Sequence, residues 1–233
     1  MTQQLLLDLL LPSPPTLENF VVGSNGAAVQ ALHELRAGRA VYLWGPPGSG
    51  RSHLLHAMGQ REHAAYFSAE RAASHLHDIV TEDTVPYALI AVDDIDQLTD
   101  SGQAAVFALY NRWREVASND QAFALVLAGS HAPLAMPVRE DLRTRLGWDL
   151  VFRLEQLSDE NRAQALQTRA QERGLTLSPE VISWMLTHYE RDMGRLSALV
   201  DALDRYSLER HRAITLPLLK DLLASNAQLR IYS

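Results

Sequence analysis

The segment Gly45-Pro46-Pro47-Gly48-Ser49-Gly50-Arg51-Ser52 constrains this chain more than any other. It matches the phosphate-loop pattern G-x-x-x-x-G-K-[ST], except that Arg51 stands at the Lys position. The apolar run Ala40–Trp44 before it reads as a strand, and helical spacing follows from about Arg51 to Met58. Glycines let such a loop curl so that several N–H groups point inward. The next helix adds its positive N-terminus, and together they cradle phosphates. Gly45, Pro47, Gly48, Ser49, Gly50, Arg51, Ser52 and His53 are therefore candidate nucleotide contacts, and the Ser52 hydroxyl is a candidate Mg²⁺ ligand. Arg is larger, planar and forked where Lys is a compact point charge. Nucleotide binding should survive that exchange, and intrinsic hydrolysis should be slow.

A second motif follows some forty residues later. Leu89-Ile90-Ala91-Val92-Asp93-Asp94 is an apolar strand ending in two acids. In phosphoryl-transfer sites the first such acid holds Mg²⁺ and the second orients attacking water. Asp93 is assigned to the metal and Asp94 to the water. Asp96 and Asp100 are expected to cap the next helix.

Short apolar runs at 40–44, 64–67, 87–92, 123–128 and 150–154 alternate with mostly helical spacing. That pattern predicts an α/β domain with a parallel sheet of five strands covered on both faces. After Leu154 only helical patterns remain. Ser158 and Ser178 read as N-caps, Gly174 as a helix stop, and a short last helix is expected after Thr215. The expected organisation is a tail over 1–16, a nucleotide-binding α/β domain over 17–155, and a small C-terminal α-helical lid over 156–233.

Charge narrows the partners. The first hundred residues carry 5 Arg against 12 Asp/Glu, and the remainder 15 Arg and one Lys against 16. With no basic tail or stripe, whole-surface DNA binding is not expected, because neutralising phosphates needs clustered cations. The 233 residues include no cysteine, which excludes disulfides, thiolate metal sites and a Cys nucleophile. No apolar run approaches a membrane span, and the start lacks a basic signal-peptide region, so a cytoplasmic protein is expected.

Other candidates lie outside the two motifs. Arg145, just before the fifth strand, can stabilise charge on a neighbour's γ-phosphate, whereas Arg143 reads as a solvated helix end. Ser130 ends the fourth strand, either as a γ-phosphate sensor or as a turn serine. Arg195 can touch phosphate across the cleft or pair on the surface. In the tail, Gln4, Leu5, Leu7 and Leu9 form a short linear motif for a partner's pockets, unless the leucines fold onto the core.

Taken in order, these segments resemble AAA+ ATPases of the DnaA initiator clade over nearly the whole chain. Asn19-Phe20-Val21-Val22-Gly23-Ser24-Asn25 is similar to the clade's opening segment near adenine, which implies nucleotide contacts at Val21 and Val22. Val92-Asp93-Asp94-Ile95 resembles its second motif, Leu142–Leu146 its arginine-finger box with Arg145 at the finger, and Leu157–Glu160 the start of its lid. Gln4–Leu9 resembles a sliding-clamp-binding motif. The clade's lid arginine falls on or beside Gly194, one residue before Arg195, and Ser130 stands where relatives are often acidic or Asn-like. The clade's helix-turn-helix DNA reader has no counterpart in this sequence. The resemblance implies a negative regulator of replication initiation that holds ADP or ATP with Mg²⁺. It implies docking on a DNA-loaded sliding clamp and stimulation of ATP hydrolysis by DnaA through Arg145 in trans. DNA would be reached only indirectly, and self-association stays open. A helicase loader of the same superfamily is the alternative; a small-molecule kinase would need a substrate pocket in place of the finger box.

Overall fold

The computed structural model describes residues 13–82, 84–189 and 192–230. The candidate tail residues Gln4, Leu5, Leu7 and Leu9 lie outside them. The described chain separates into two compact units, one spanning Pro15–Gln156 and the other carrying the helices from Leu157 onward.

The first unit runs α1 (Gly26–His33), β1 (Ala40–Trp44), α2 (Arg51–Gly59), β2 (Ala64–Phe67), α3 (Ala69–Thr81), β3 (Leu89–Val92), α4 (Asp100–Val116), β4 (Ala124–Gly129), α5 (Glu140–Arg145) and β5 (Leu150–Arg153). Its five strands form one parallel sheet in the order β2-β3-β4-β1-β5. Period-two alternation divides each strand between two cores. Tyr42, Ile90, Val92, Leu125 and Leu127 face α3 and α4, while Val41, Leu43, Leu89, Ala91 and Val126 face α1 and α2. Both faces are therefore apolar, which is why the strands read as continuous hydrophobic runs.

The parallel, five-stranded sheet agrees with the expectation from sequence. Three local readings change. The cap of α4 is Thr99, whose hydroxyl accepts from the Gly102 N–H at 3.2 Å. Asp96 and Asp100 do not cap that helix: Asp96 sits in a short 3-10 turn over Ile95–Gln97, and Asp100 in the helix's first turn. Thr99 wins because its extended backbone (φ −63°, ψ 166°) aims its hydroxyl at the first free N–H groups. Helix α5, read only as a helix end at Arg143, is six residues long.

The second unit contains α6 (Asp159–Glu172), α7 (Pro179–His188), α8 (Met193–Arg210) and α9 (Leu216–Arg230). Ser158, Ser178 and Asp192 each accept a hydrogen bond from the N–H three residues on. Gly174 ends the α6 region at φ 71°, a conformation that glycine adopts without strain. Leu166, Val181, Met185, Leu196, Leu199 and Leu222 fill a separate apolar core. Helix α9 has 15 residues and is not the short element expected; its apolar side chains at 218, 219 and 222 are drawn into that core. No described helix is long and apolar enough to cross a membrane.

Candidate functional site

A parallel sheet puts every strand's carboxyl end on one edge, so loops distant in sequence meet there. Trp44 pairs with Gly129 and with Arg153, which brings Gly45, Ser130 and Leu154 to that edge. Asp93 follows β3 directly, and its N–H donates to the Phe67 carbonyl at 2.9 Å.

The phosphate loop has the form its glycines predict. Gly48 and Gly50 lie at φ 76° and 92°, and Gly50 precedes the nine-residue α2. A Cβ at Gly50 would lie 2.5 Å from Phe20 Cε2, so the loop packs against the opening segment. A Cβ at Gly45 would collide with the Leu154 carbonyl, so this end of the loop lies tight against the end of β5. Gln156 Nε2 donates to the Pro47 carbonyl at 2.6 Å and closes the loop's outer side. The Asn25 side chain donates to the Glu155 carbonyl at 3.0 Å and accepts from the Glu155 N–H at 2.8 Å, clasping α1 to the strand edge. Val21 is half-buried and Val22 exposed beside this clasp, and the His53 ring bonds the Thr16 carbonyl at 2.9 Å and leans on Phe20.

Two polar atoms in and beside the loop, Ser49 Oγ and Arg51 Nη1, are buried without a hydrogen-bond partner. Buried polar groups are nearly always satisfied, so an orphaned hydroxyl and guanidinium nitrogen in and beside this glycine-rich loop fit a phosphate. The other Arg51 nitrogen, Nη2, lies 3.7 Å from Asp94 Oδ1.

Asp93 is 1% exposed. Its carboxylate accepts from the Tyr66 hydroxyl at 3.2 Å and from the Asp94 N–H at 2.9 Å. Asp94 adopts left-handed backbone (φ 48°), which turns it away from the strand line. Burial, reinforced by the Asp93 charge, raises the Asp94 carboxyl above the usual range, with Arg51 opposing. The Ser52 hydroxyl and the Asp93 carboxylate are hard oxygen donors of the kind that Mg²⁺ takes. Among the described residues no cluster of three or more His, Asp or Glu could hold a metal. Mg²⁺ does not need one, because it is held by one or two carboxylates plus phosphate oxygens and water.

Ser130 is tied into a local network at the end of β4. Its N–H and hydroxyl donate to the two Asp96 oxygens at 3.0 and 2.8 Å, and its Oγ lies 2.7 Å from His131 Nδ1. Asp96 thus fixes Ser130 at the β4 end, a role sequence reasoning assigned to a helix cap.

Arg145 ends α5, within an aromatic sheath. Its guanidinium carbon lies 3.7 Å from the Phe107 ring centre and 5.0 Å from that of Trp148. Nε is buried without an acceptor, and Nη1 reaches only the Asp141 carbonyl at 3.5 Å. Burial lowers the Arg145 pKa, Asp141 opposes the shift, and Arg114 adds to it.

Arg195 lies in the first turn of α8, in the second unit, with its N–H donating to Asp192 Oδ1. Tyr66, Phe107, Trp148 and Gln156 were missed by sequence reasoning, and Asp96 was given a different role. Phe107 alone carried a signal: it falls off the Val106, Leu109, Tyr110, Trp113 core stripe of α4, so its ring needs another partner.

Sheet order, a phosphate-loop motif after β1 and a helical unit after the sheet together define an AAA+ fold. Residues 159–223 match the family model described as Hda, lid domain. Domain III of the replication initiation protein DnaA from Thermotoga maritima is similar in fold, at 20% identity and a TM-score of 0.68 over 92% of this chain and 97% of that one. DnaA bound to AMPPCP and single-stranded DNA is 24% identical over 86% of this chain and 69% of that one, at a TM-score of 0.62. A RuvB variant of Thermotoga maritima reaches a TM-score of 0.61 at 15% identity, over 91% of this chain and 72% of that one. The second unit is thus similar to the Hda lid domain, and the fold is similar to that of the AAA+ domain of DnaA.

Proposed function

We propose that this protein is a negative regulator of DNA replication initiation that activates ATP hydrolysis by DnaA. Three parts serve that role. The loop N–H groups and Arg51 hold the phosphates of ADP or ATP, beside Val21, Val22 and His53. Ser52 and Asp93 hold Mg²⁺, which supplies charge neutralisation at the phosphates. Gln4, Leu5, Leu7 and Leu9 dock on a DNA-loaded sliding clamp and so deliver the protein to its partner.

Arg145 is the group that acts in trans. The observation that carries the reading is its bonding state. The guanidinium is held between Phe107 and Trp148, with Nε buried and unsatisfied and only one long contact at Nη1. A rigid cation with unused donors suits a phosphoryl group that gains charge in the transition state. The paired Arg51 and Asp94 agree with a protein whose own nucleotide is retained and turned over slowly.

The test is ATP hydrolysis by DnaA from the same cell, with clamp loaded on DNA, with and without this protein. Clamp-dependent acceleration is expected, lost on Arg145→Ala with ADP binding intact. A second arm uses Gln4→Ala with Leu7→Ala, which should abolish clamp binding at unchanged nucleotide affinity. Acceleration that survives loss of Arg145 would remove the finger from the mechanism. No acceleration by the unaltered protein would bring a helicase-loading role forward.

A further inference from the structure

Trp148 is flanked by two guanidinium groups. The Arg114 carbon lies 4.5 Å from its ring centre and the Arg145 carbon 5.0 Å from the same centre. The two cations are near enough that Arg114 lowers the Arg145 pKa. They come from different elements, Arg114 from the last turn of α4 and Arg145 from the end of α5. Trp148 is 42% exposed, a large apolar ring on the surface, and the T-shaped contact with Tyr110 anchors its edge.

Like charges held side by side repel, and each forgoes an ion pair that the protein's many carboxylates would otherwise supply. Nearby Arg112 pairs with Glu115 at 3.9 Å and Arg139 with Asp141 at 2.7 Å. Neither Arg114 nor Arg145 is within ion-pair distance of a carboxylate among the described residues. Stacking on indole keeps a guanidinium planar and fixed while its edge donors stay free. Two such edges can engage separate oxygens of one anion, whereas a single arginine engages one fork.

We propose that Arg114 is a second trans-acting cation, held with Arg145 by Trp148, and that the pair recognises the terminal phosphate of a nucleotide carried by a second P-loop protein. The proposal rests on the reading of Arg145 as the group that acts in trans. Arg145 stabilises the reacting phosphoryl group. Arg114 adds attraction for the multiply charged anion before and during docking, so it sets how much protein is needed. Trp148 is a positioning residue for both.

The experiment is the clamp-dependent DnaA hydrolysis assay, with this protein titrated as the unaltered chain, Arg114→Ala, Arg114→Lys and Arg145→Ala. Arg114→Ala should raise the concentration for half-maximal acceleration about tenfold, with a smaller loss in the maximal rate. It should also flatten the salt dependence of that concentration. Arg114→Lys should recover most of the loss, because charge is kept although the stacked fork is not. Thermal midpoints and ADP affinity should match the unaltered chain, which separates this role from a structural one. Full acceleration by Arg114→Ala at unaltered concentration, alongside loss with Arg145→Ala, would overturn the second cation and leave the first. No acceleration by the unaltered chain, or full acceleration by Arg145→Ala, would overturn the underlying reading and the second cation with it.

Discussion

Arg51 Nη2 lies 3.7 Å from Asp94 Oδ1, so the cation of the phosphate loop is paired with the second acid at the end of β3. The Arg51 side chain is 11% exposed, and its other terminal nitrogen is buried without a partner. The guanidinium can therefore bridge from Asp94 to a phosphate without leaving the acid.

Removing that bridge tests how the nucleotide is held. Arg51→Ala should weaken ADP binding about tenfold, the size of one charge-assisted hydrogen bond. Asp94→Asn should leave ADP affinity within about threefold, because it removes no phosphate donor. Titration with a fluorescent ADP analogue measures both. Unchanged affinity for Arg51→Ala would mean that the loop N–H groups alone hold the phosphates.

The Asp96–Ser130 clasp should matter to stability as well as to the site. Asp96→Ala leaves the Ser130 N–H and hydroxyl without their acceptor, at a loss of roughly 1–3 kcal/mol. Ser130→Ala leaves the backbone bond in place and should cost less than half as much. Urea unfolding of the two variants gives the comparison. Equal stabilities would show that water replaces the carboxylate.

Asp201 on α8 is the electrostatic centre of the helical unit. Arg169 donates to its two oxygens at 3.0 and 2.7 Å, and Arg173 Nε lies 3.0 Å from Oδ1. Arg173 also reaches Asp204 at 3.8 Å. Asp201→Asn leaves both guanidiniums facing a neutral amide. The loss should be about 2 kcal/mol, less than for a fully buried pair because Arg173 is partly in solvent. Amide exchange should quicken in α6 and α8 and stay unchanged across β1–β5. An unaltered exchange pattern would refute the assignment.

Acid should act on the sheet edge through Asp149. Hydrogen bonding from Arg39 holds its carboxyl below the usual range, helped by the Ala40 N–H at 2.8 Å. A depressed folded pKa means that the unfolded chain binds the proton first. The stabilisation is present above the ordinary Asp pKa and is lost as pH falls through the folded value. Asp149→Asn should therefore lower stability by roughly 1 kcal/mol at neutral pH and by much less near pH 2–3. Thermal midpoints of both proteins across that range provide the check, and a gap that widens toward low pH would reverse the sign.

Some of this architecture was legible residue by residue. The phosphate loop between strand and helix, the acids ending β3 and the serine caps of α6 and α7 all depend on neighbours within a few positions. Arg145 was legible as a candidate because it lies just before β5, and family resemblance added the reading of Leu142–Leu146 as a finger box. The sheath of Arg145 was hidden because Phe107 lies far away in sequence and Trp148 looks like an ordinary loop aromatic.

Hydrophobic period and backbone permission act over short spans, so most elements, the two-sided apolar sheet and the loop glycines were readable in the chain alone. The partners of the site residues were set by folding. Strand order set Ser130 beside Asp96 and Tyr66 beside Asp93, and packing of α4 against α5 set Phe107 and Trp148 around Arg145. Hydrogen bonds and stacking act over a few ångströms of space, and no local pattern in the chain records which distant residues that distance will join.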